Sequence, residues 1–570
     1  MQIKYLTKKA FIINDGNEKS FTTGGIISES GTILIGGCDD RLTPETICAL
    51  GLPPVISALC CDYRRSSIAG ILNFETAAKY IGENCVDLLA RPERWWGAPE
   101  NRWHLYNVRS DGDILPVGAA NVNKISADEK ITIGGVEITA LSTPGDTDYS
   151  MSYLIEDDGV KIVFCGGLLY KGGKIPYLYR LTQNIPDQGH FDYHGYLRGI
   201  PVWKNSLDTI SAADIAVPYI GGVIGNLKSD IDTFKKNIDE YFGYYADISS
   251  LNYFFEGLAE NPEFTRGEEK DFPPYVKNIG DQCNVIFSES GHAIAVDCGG
   301  EGAVGKLLEM LERGEIKSVD ALYITHYHDD HVDGCEYFGR HFDCPVYADK
   351  IQADILQNPM RYRLPCISPV SAGVSPLDDG HVWNWHEFEL TSFAFPGQSL
   401  YHGGLMLKSG GETVFFAGDS FTPAGIDDYC AYNRNLMIPG EGYFKCLDIL
   451  KKHMPDYIIN QHVARAFAFS AEQLDYMEQN LRDRLRVLAE LSVWDDVNYA
   501  LDEHFVMAYP YEQPYIEGEG ADVKILISDY SDKVKCDIVP PKHQSEKNIY
   551  GIRVYIGDIY IGQKSCFIVN

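Results

Sequence analysis

The chain is short of positive charge. Lys and Arg number 49 against 81 Asp and Glu, a formal net charge of −32. A surface this acidic repels phosphate backbones and anionic lipid, so nucleic-acid and membrane partners are not expected. No run of 18 apolar residues occurs, which removes the usual signal for a membrane-spanning helix. The opening "MQIKYLTKKAFIINDGNEKS" has no apolar stretch ending in a small-residue cleavage site. There is no C-x-x-C pair, and the 15 cysteines are scattered. They read as small buried hydrophobes in a reducing, cytoplasmic setting rather than as a disulfide framework.

What is present suits a large globular chain. At 570 residues it exceeds one hydrophobic core, so several domains are expected. Its 54 glycines and 36 tyrosines suggest short strands joined by tight turns. The densest chemistry lies in "VDALYITHYHDDHVDG" (319–334). Val319–Thr325 reads as a buried strand. His326 and His328 sit two apart at its extended end, so both rings share one side. Asp330 and His331 lie on the turn beyond. Such a group is costly to desolvate without a cation. It can offer two ligand sets to two metals that share a water.

His326-x-His328-x-Asp330-His331 resembles the H-x-H-x-D-H signature of the metallo-β-lactamase superfamily. The resemblance implies an α/β fold, an αββα sandwich with metals at its edge on loops that follow strands. It extends to "VFFAGDSF" (414–421), whose Asp419 would bridge two metals. In "PDYIINQHVARAF" (455–467), His462 would complete the second metal, and in "AIAVDCG" (293–299) Asp297 would support the site without ligating. His326, His328, Asp330, His331, Asp419 and His462 are thus the implied ligands. Asp330 would also orient or deprotonate the attacking water. His328 departs from the flavodiiron branch, which carries glutamate there.

One position breaks the pattern. Where the family has Pro-Gly-His-Thr, this chain reads Pro396-Gly397-Gln398-Ser399, with His402 four residues on. Either His402 ligates the first metal and Gln398 faces substrate, or Gln398 ligates through its amide oxygen and His402 stands behind. The stronger imidazole ligand favours His402. Tyr327 and Tyr401 flank the ligands and could line a substrate cleft, while His381 and His386 lie among aromatics and read as packing or rim residues. Ligation by His and Asp without Cys suits two divalent ions, zinc first, with iron or manganese tolerable.

An internal repeat accompanies the motif. "GGIISESGTILIGGC" (24–38) parallels "CNVIFSESGHAIAVDC" (283–298), and four further segments follow in the same order. Opposite His326, His328, Asp330 and His331 stand Asp62, Arg64, Ser66 and Ser67. Asp146 and Ser150 stand opposite Gln398 and His402, Gly167 opposite Asp419, and Ile220 opposite His462. The expected organisation is a degenerate copy without metal ligands (1–245), a linker (246–275), a catalytic copy (276–495) and a small all-β, sandwich-like module (496–570). The expected function is a dinuclear metallo-hydrolase using a bridging hydroxide on a small ester, thioester, lactone, amide or phosphodiester. The alternative is a binding or scaffolding protein with a vestigial site. The sequence specifies no oligomeric state.

Overall fold

The computed structural model describes residues 1–98, 111–178, 199–254, 263–428, 436–514, 522–528, 532–541 and 548–570. The chain divides into two compact units. One holds residues 1–102, 107–240 and 487–570; the other holds 103–106 and 241–486.

In the second unit, one sheet runs Val276–Gly280, Cys283–Phe287, His292–Val296, Ser318–Ile324, Val346–Asp349, Val374–Leu377 in spatial as well as chain order. The first two pairings are antiparallel and the last three parallel. Parallel neighbours need a crossover, and helices Glu301–Glu312 and Lys350–Gln357 supply two of them. The first helix buries Ala303, Val304, Leu307 and Met310, a spacing that keeps one face inward. The other sheet is ordered Glu268–Lys270, Ala466–Ala468, Tyr457–Ile459, Glu412–Phe416, Gly403–Ser409, Phe388–Ala394, Val382–Trp385. Both sheets contribute to one core: Ile286, Ile294, Val296 and Tyr323 from the first meet Leu390, Leu405, Val414 and Phe416 from the second. Residues 318–324 and 283–287 are nearly all buried, as strands covered on both faces must be. The loops that follow the strands' carboxyl ends therefore emerge at one edge of a two-layer core.

The first unit repeats this strand order. Thr23–Ile27, Thr32–Gly36, Val55–Cys60, Ala78–Gly82 and Val122–Ile125 are neighbours in sequence order, switching from antiparallel to parallel at the same step. Its second sheet, Ile215–Pro218, Val160–Gly166, Met151–Asp157, Val136–Ser142, Lys130–Ile133, again has one parallel pairing, with Ile200–Ile210 as the crossover helix. At the C-terminal end, Asn548–Ile556 and Ile559–Val569 form a hairpin about Gly557-Asp558. Arg553, Tyr560 and Gln563 of that hairpin all donate to the Asp40 carboxylate, and the site of a Gly562 Cβ lies 2.6 Å from Ser66 O. The hairpin thus packs within the first unit, against Asp40 and Ser66. The cysteines of the described residues are free thiols, and no described helix is long and apolar enough to cross a membrane.

Candidate metal centre

Thr325 to His331 leave the carboxyl end of strand Ser318–Ile324, and Asp329–Val332 forms one short helical turn. Asp297, one residue past the neighbouring strand His292–Val296, adopts a left-handed φ of +61°. That conformation is uncommon for a residue with a side chain. It aims the fully buried carboxylate at three donors: Thr325 N (2.7 Å), Thr325 Oγ1 (2.7 Å) and His331 Nδ1 (3.0 Å). Thr325 Oγ1 also lies 3.0 Å from His326 Nδ1. A hydroxyl that donates to Asp297 can accept from the imidazole. Asp297 therefore fixes both rings, His331 directly and His326 through Thr325, and turns each Nε2 into the site, where His326 Nε2 lies 3.1 Å from His328 Nδ1.

Asp419 follows strand Glu412–Phe416 after Gly418, whose φ is +52°. Glycine is required there, because a Cβ would sit 2.4 Å from the His402 ring. The Asp419 Oδ2 atom lies 3.8 Å from His326 Nε2, 3.3 Å from His331 Nε2 and 3.2 Å from His462 Nε2. His462, beyond strand Tyr457–Ile459, is also 3.1 Å from Asp330 Oδ2. Two triads result: His326, His328 and Asp419, then Asp330, His331 and His462. Asp419 stands between them. Side chains of His326 and His331 have no exposure, whereas Asp330 is 41% and His462 30% exposed, so the second triad is the open side.

Gln398 and His402 have different surroundings. Gln398 donates Nε2 to Asp419 Oδ2 (3.2 Å) and to Asp427 Oδ2 (3.5 Å), and its own backbone N–H is held by Ser420 Oγ. Its Oε1 is buried without a partner. His402 belongs to neither triad. It stacks on His326 with ring centroids 4.6 Å apart, and its Nε2 is 3.5 Å from Ser420 Oγ. Tyr327 is buried edge-on to His328, with Tyr401 next to it. Of the paired aspartates in "HDDH", Asp330 enters the site, while Asp329 turns back and accepts the Asp330 N–H.

The electrostatics suit a cation. Burial pushes the His326 and His328 imidazoles down, and pushes His402 down to about 3. Burial opposes charge on His331 and His462 as well. The carboxylates nonetheless win, raising His331 well above its usual range and His462 to about 10. His328 Nε2, His331 Nε2, Asp419 Oδ1 and Gln398 Oε1 are buried atoms lacking a hydrogen-bond partner. Buried polar atoms are rarely left so. Imidazoles and carboxylates at these separations fit a pair of divalent cations.

Two groups escaped the sequence reading. Thr325 carried no signal beyond being a polar residue at the end of an apolar strand. Asp427, fully buried and pushed well up by burial and by Asp419, orients Gln398 from a loop with no motif.

In the first unit the same backbone hydrogen bonds recur. Met151 N donates to Cys61 O as Gly403 N does to Thr325 O, both at 2.7 Å. Cys38 N donates to Ser67 O as Cys298 N does to His331 O. Asp62 and Arg64 therefore stand where His326 and His328 do. The buried Arg64 guanidinium donates to Asp146 O (2.9 Å) and lies 3.4 Å from Asp113 and 3.5 Å from Glu503. Asp62 accepts from Tyr219 Oη at 2.8 Å. A Cβ on Gly167, opposite Asp419, would meet the Asp146 carboxylate at 2.1 Å, so that carboxylate fills the space.

Comparison with known proteins agrees with this geometry. Residues 278–431 match the model of the family described as the metallo-beta-lactamase superfamily. A hydroxyacylglutathione hydrolase of Aeromonas salmonicida is 32% identical over 170 residues, 28% of this chain and 58% of the relative. One from Aeromonas hydrophila is 30% identical over 141 residues, 25% of this chain and 46% of the relative. The chain thus spans about half the length of these curated relatives. Among solved structures, a subclass B3 metallo-beta-lactamase of Bradyrhizobium japonicum aligns at 13% identity and TM-score 0.32, covering 42% of this chain and 94% of that one. A metallo-beta-lactamase of Cronobacter sakazakii aligns at 15% identity and TM-score 0.29, covering 38% and 80%. Over residues 278–431, this chain is similar to the metallo-beta-lactamase superfamily.

Proposed function

We propose that the second unit is a metal-dependent hydrolase acting on a small ester or thioester, and that the first is a copy that has exchanged its metals for an internal ion-pair network. The observation that carries the reading is the pair of triads converging on Asp419. Two divalent ions held there would activate water and polarise a substrate carbonyl. His326, His328 and Asp419 would hold one, and Asp330, His331, His462 and Asp419 the other. Gln398 would complete the first set through Oε1, since its Nε2 is already committed to Asp419 and Asp427. His402 would back the His326 ring. Asp330, the most exposed carboxylate of the group, is positioned to take a proton from the attacking water and pass it to solvent. Tyr327 and Tyr401 would form the apolar wall of the cleft. The partial likeness to enzymes named hydroxyacylglutathione hydrolase favours thioesters as the first substrates to try.

The test is turnover of a panel of small thioesters, esters and phosphodiesters by the full chain after zinc reconstitution. Thioester hydrolysis that falls at least ~100-fold in His328→Ala is the expected result. Turnover unchanged in that variant would overturn the assignment. A metal-loaded wild type inert across the panel would favour the scaffolding reading.

A further inference from the structure

A third convergence of metal-binding side chains lies at the opposite end of the second unit's sandwich. His292 opens one strand, Asp320 lies near the start of the next, and His386 is in the turn before strand Phe388–Ala394 of the facing sheet. Asp320 and His326 are six residues apart along an extended strand, about 20 Å. The cluster is therefore separate from the Asp419 centre.

Two backbone irregularities build it. Ala293 pairs with Val319 but Ile294 pairs with Ala321, so Asp320 is the extra residue of a β-bulge. A bulge re-aims the side chain it carries. His386 holds a left-handed φ of +50°. A non-glycine residue adopts this only when its surroundings impose it. Ser290 Oγ lies 3.1 Å from His386 Nδ1, and the adjacent Glu387 carboxylate accepts the Glu289 N–H at 2.6 Å. The His386 Nε2 atom is thereby turned toward Asp320.

The distances suit one small ion. His292 Nδ1 is 3.2 Å and His386 Nε2 3.5 Å from Asp320 Oδ2. A tetrahedral ion with bonds of about 2.0–2.1 Å sets its ligand atoms roughly 3.3–3.4 Å apart. Around Asp419 the corresponding distances are 3.2, 3.3 and 3.8 Å. Trp385 Nε1 donates to Asp320 Oδ2 at 2.9 Å and the Ser318 hydroxyl donates to Oδ1, which holds the carboxylate in place; His292 Nδ1 lies 2.7 Å from the same hydroxyl, a hydrogen bond that a bound ion would replace. Side-chain exposures of 32%, 27% and 29% for His292, Asp320 and His386 leave room for entry and for a water to complete the coordination.

We propose that His292, Asp320 and His386 bind one divalent transition ion of the zinc class, which ties the two sheets together away from the Asp419 centre. Two neutral imidazoles and one carboxylate select such an ion over magnesium or calcium. Because the ion would bind only the folded arrangement, it would stabilise the fold.

The experiment is calorimetric titration of the metal-depleted full chain with zinc, comparing wild type with His386→Asn and His292→Ala. Asparagine tolerates the left-handed backbone at 386. The expected result is loss of one and the same zinc equivalent in both variants, with the remaining equivalents and their affinities as in wild type. Retention of all equivalents with unchanged affinity in either variant would overturn the proposal. So would loss of every equivalent together, which would mean that the two residues act on the whole fold.

Discussion

Replacing Asp297 by Asn changes no ligand and almost no volume, yet it should weaken metal binding. The carboxylate accepts three hydrogen bonds, from Thr325 N, Thr325 Oγ1 and His331 Nδ1. An asparagine can keep its oxygen toward the Thr325 N–H. Its NH2 group then faces His331 Nδ1, which must become an acceptor. The imidazole proton moves to Nε2, the atom within 3.3 Å of Asp419, and the lone pair meant for a cation is lost. The relay through Thr325 to His326 is weakened as well. Losing such a supporting group typically costs 10–100-fold in affinity, or about 1.4–2.7 kcal/mol. Zinc titration of Asp297→Asn against wild type, with circular dichroism to verify folding, measures this directly. The equivalent bound on the His331 side should weaken by that factor, and the His326 side by less. An affinity within about threefold of wild type in a folded variant would refute the claim that Asp297 sets the imidazole tautomers.

Gln398→His should strengthen the first metal equivalent by at least ~10-fold, since imidazole is the better ligand. His402→Ala should lower the melting temperature through its buried cavity but keep the metal count; elemental analysis after identical reconstitution separates the two outcomes, and loss of a metal only in His402→Ala would restore His402 as the ligand. In the first unit, burial and the adjacent Asp146 carboxylate push Asp62 up to about 7. A carboxyl whose folded pKa is raised contributes stability below about pH 4 and loses it as pH climbs to about 7, a swing on the order of 4 kcal/mol. Asp62→Asn should flatten that slope and melt higher than wild type at pH 8, with little difference at pH 4; an unchanged slope would refute the assignment.

Much of the centre was legible because its ligands follow strands, and strands announce themselves by apolar runs. Val319–Thr325 ending in His326, and Val414–Ala417 ending in Gly418-Asp419, are of that kind. The strand order that the two units share follows from the same apolar runs, with Ser-Glu-Ser-Gly at 28–31 and 288–291 in the turns between them. The sequence ranks His402 above Gln398 by ligand strength alone; it carries no sign of Asp427, which arrives from a distant loop to hold the Gln398 amide. His386 reads as a packing or rim residue from its company. Among tryptophans it resembles packing, yet Trp385 serves as a hydrogen-bond donor to Asp320 rather than as an apolar lid. A β-bulge and a left-handed histidine have no signature in a single sequence.

The buried Arg64 has a consequence for how the protein meets metal scarcity. Its guanidinium is a cation written into the chain, neither captured from solution nor removable by a chelator. The carboxylates around it are therefore neutralised as soon as the polypeptide folds. On the proposed reading, a chelating buffer should leave the melting of the first unit where it was, while the second unit, whose positive charge would be acquired after synthesis, softens. On that same reading, starvation for the metal would then silence the chemistry without dismantling the first unit.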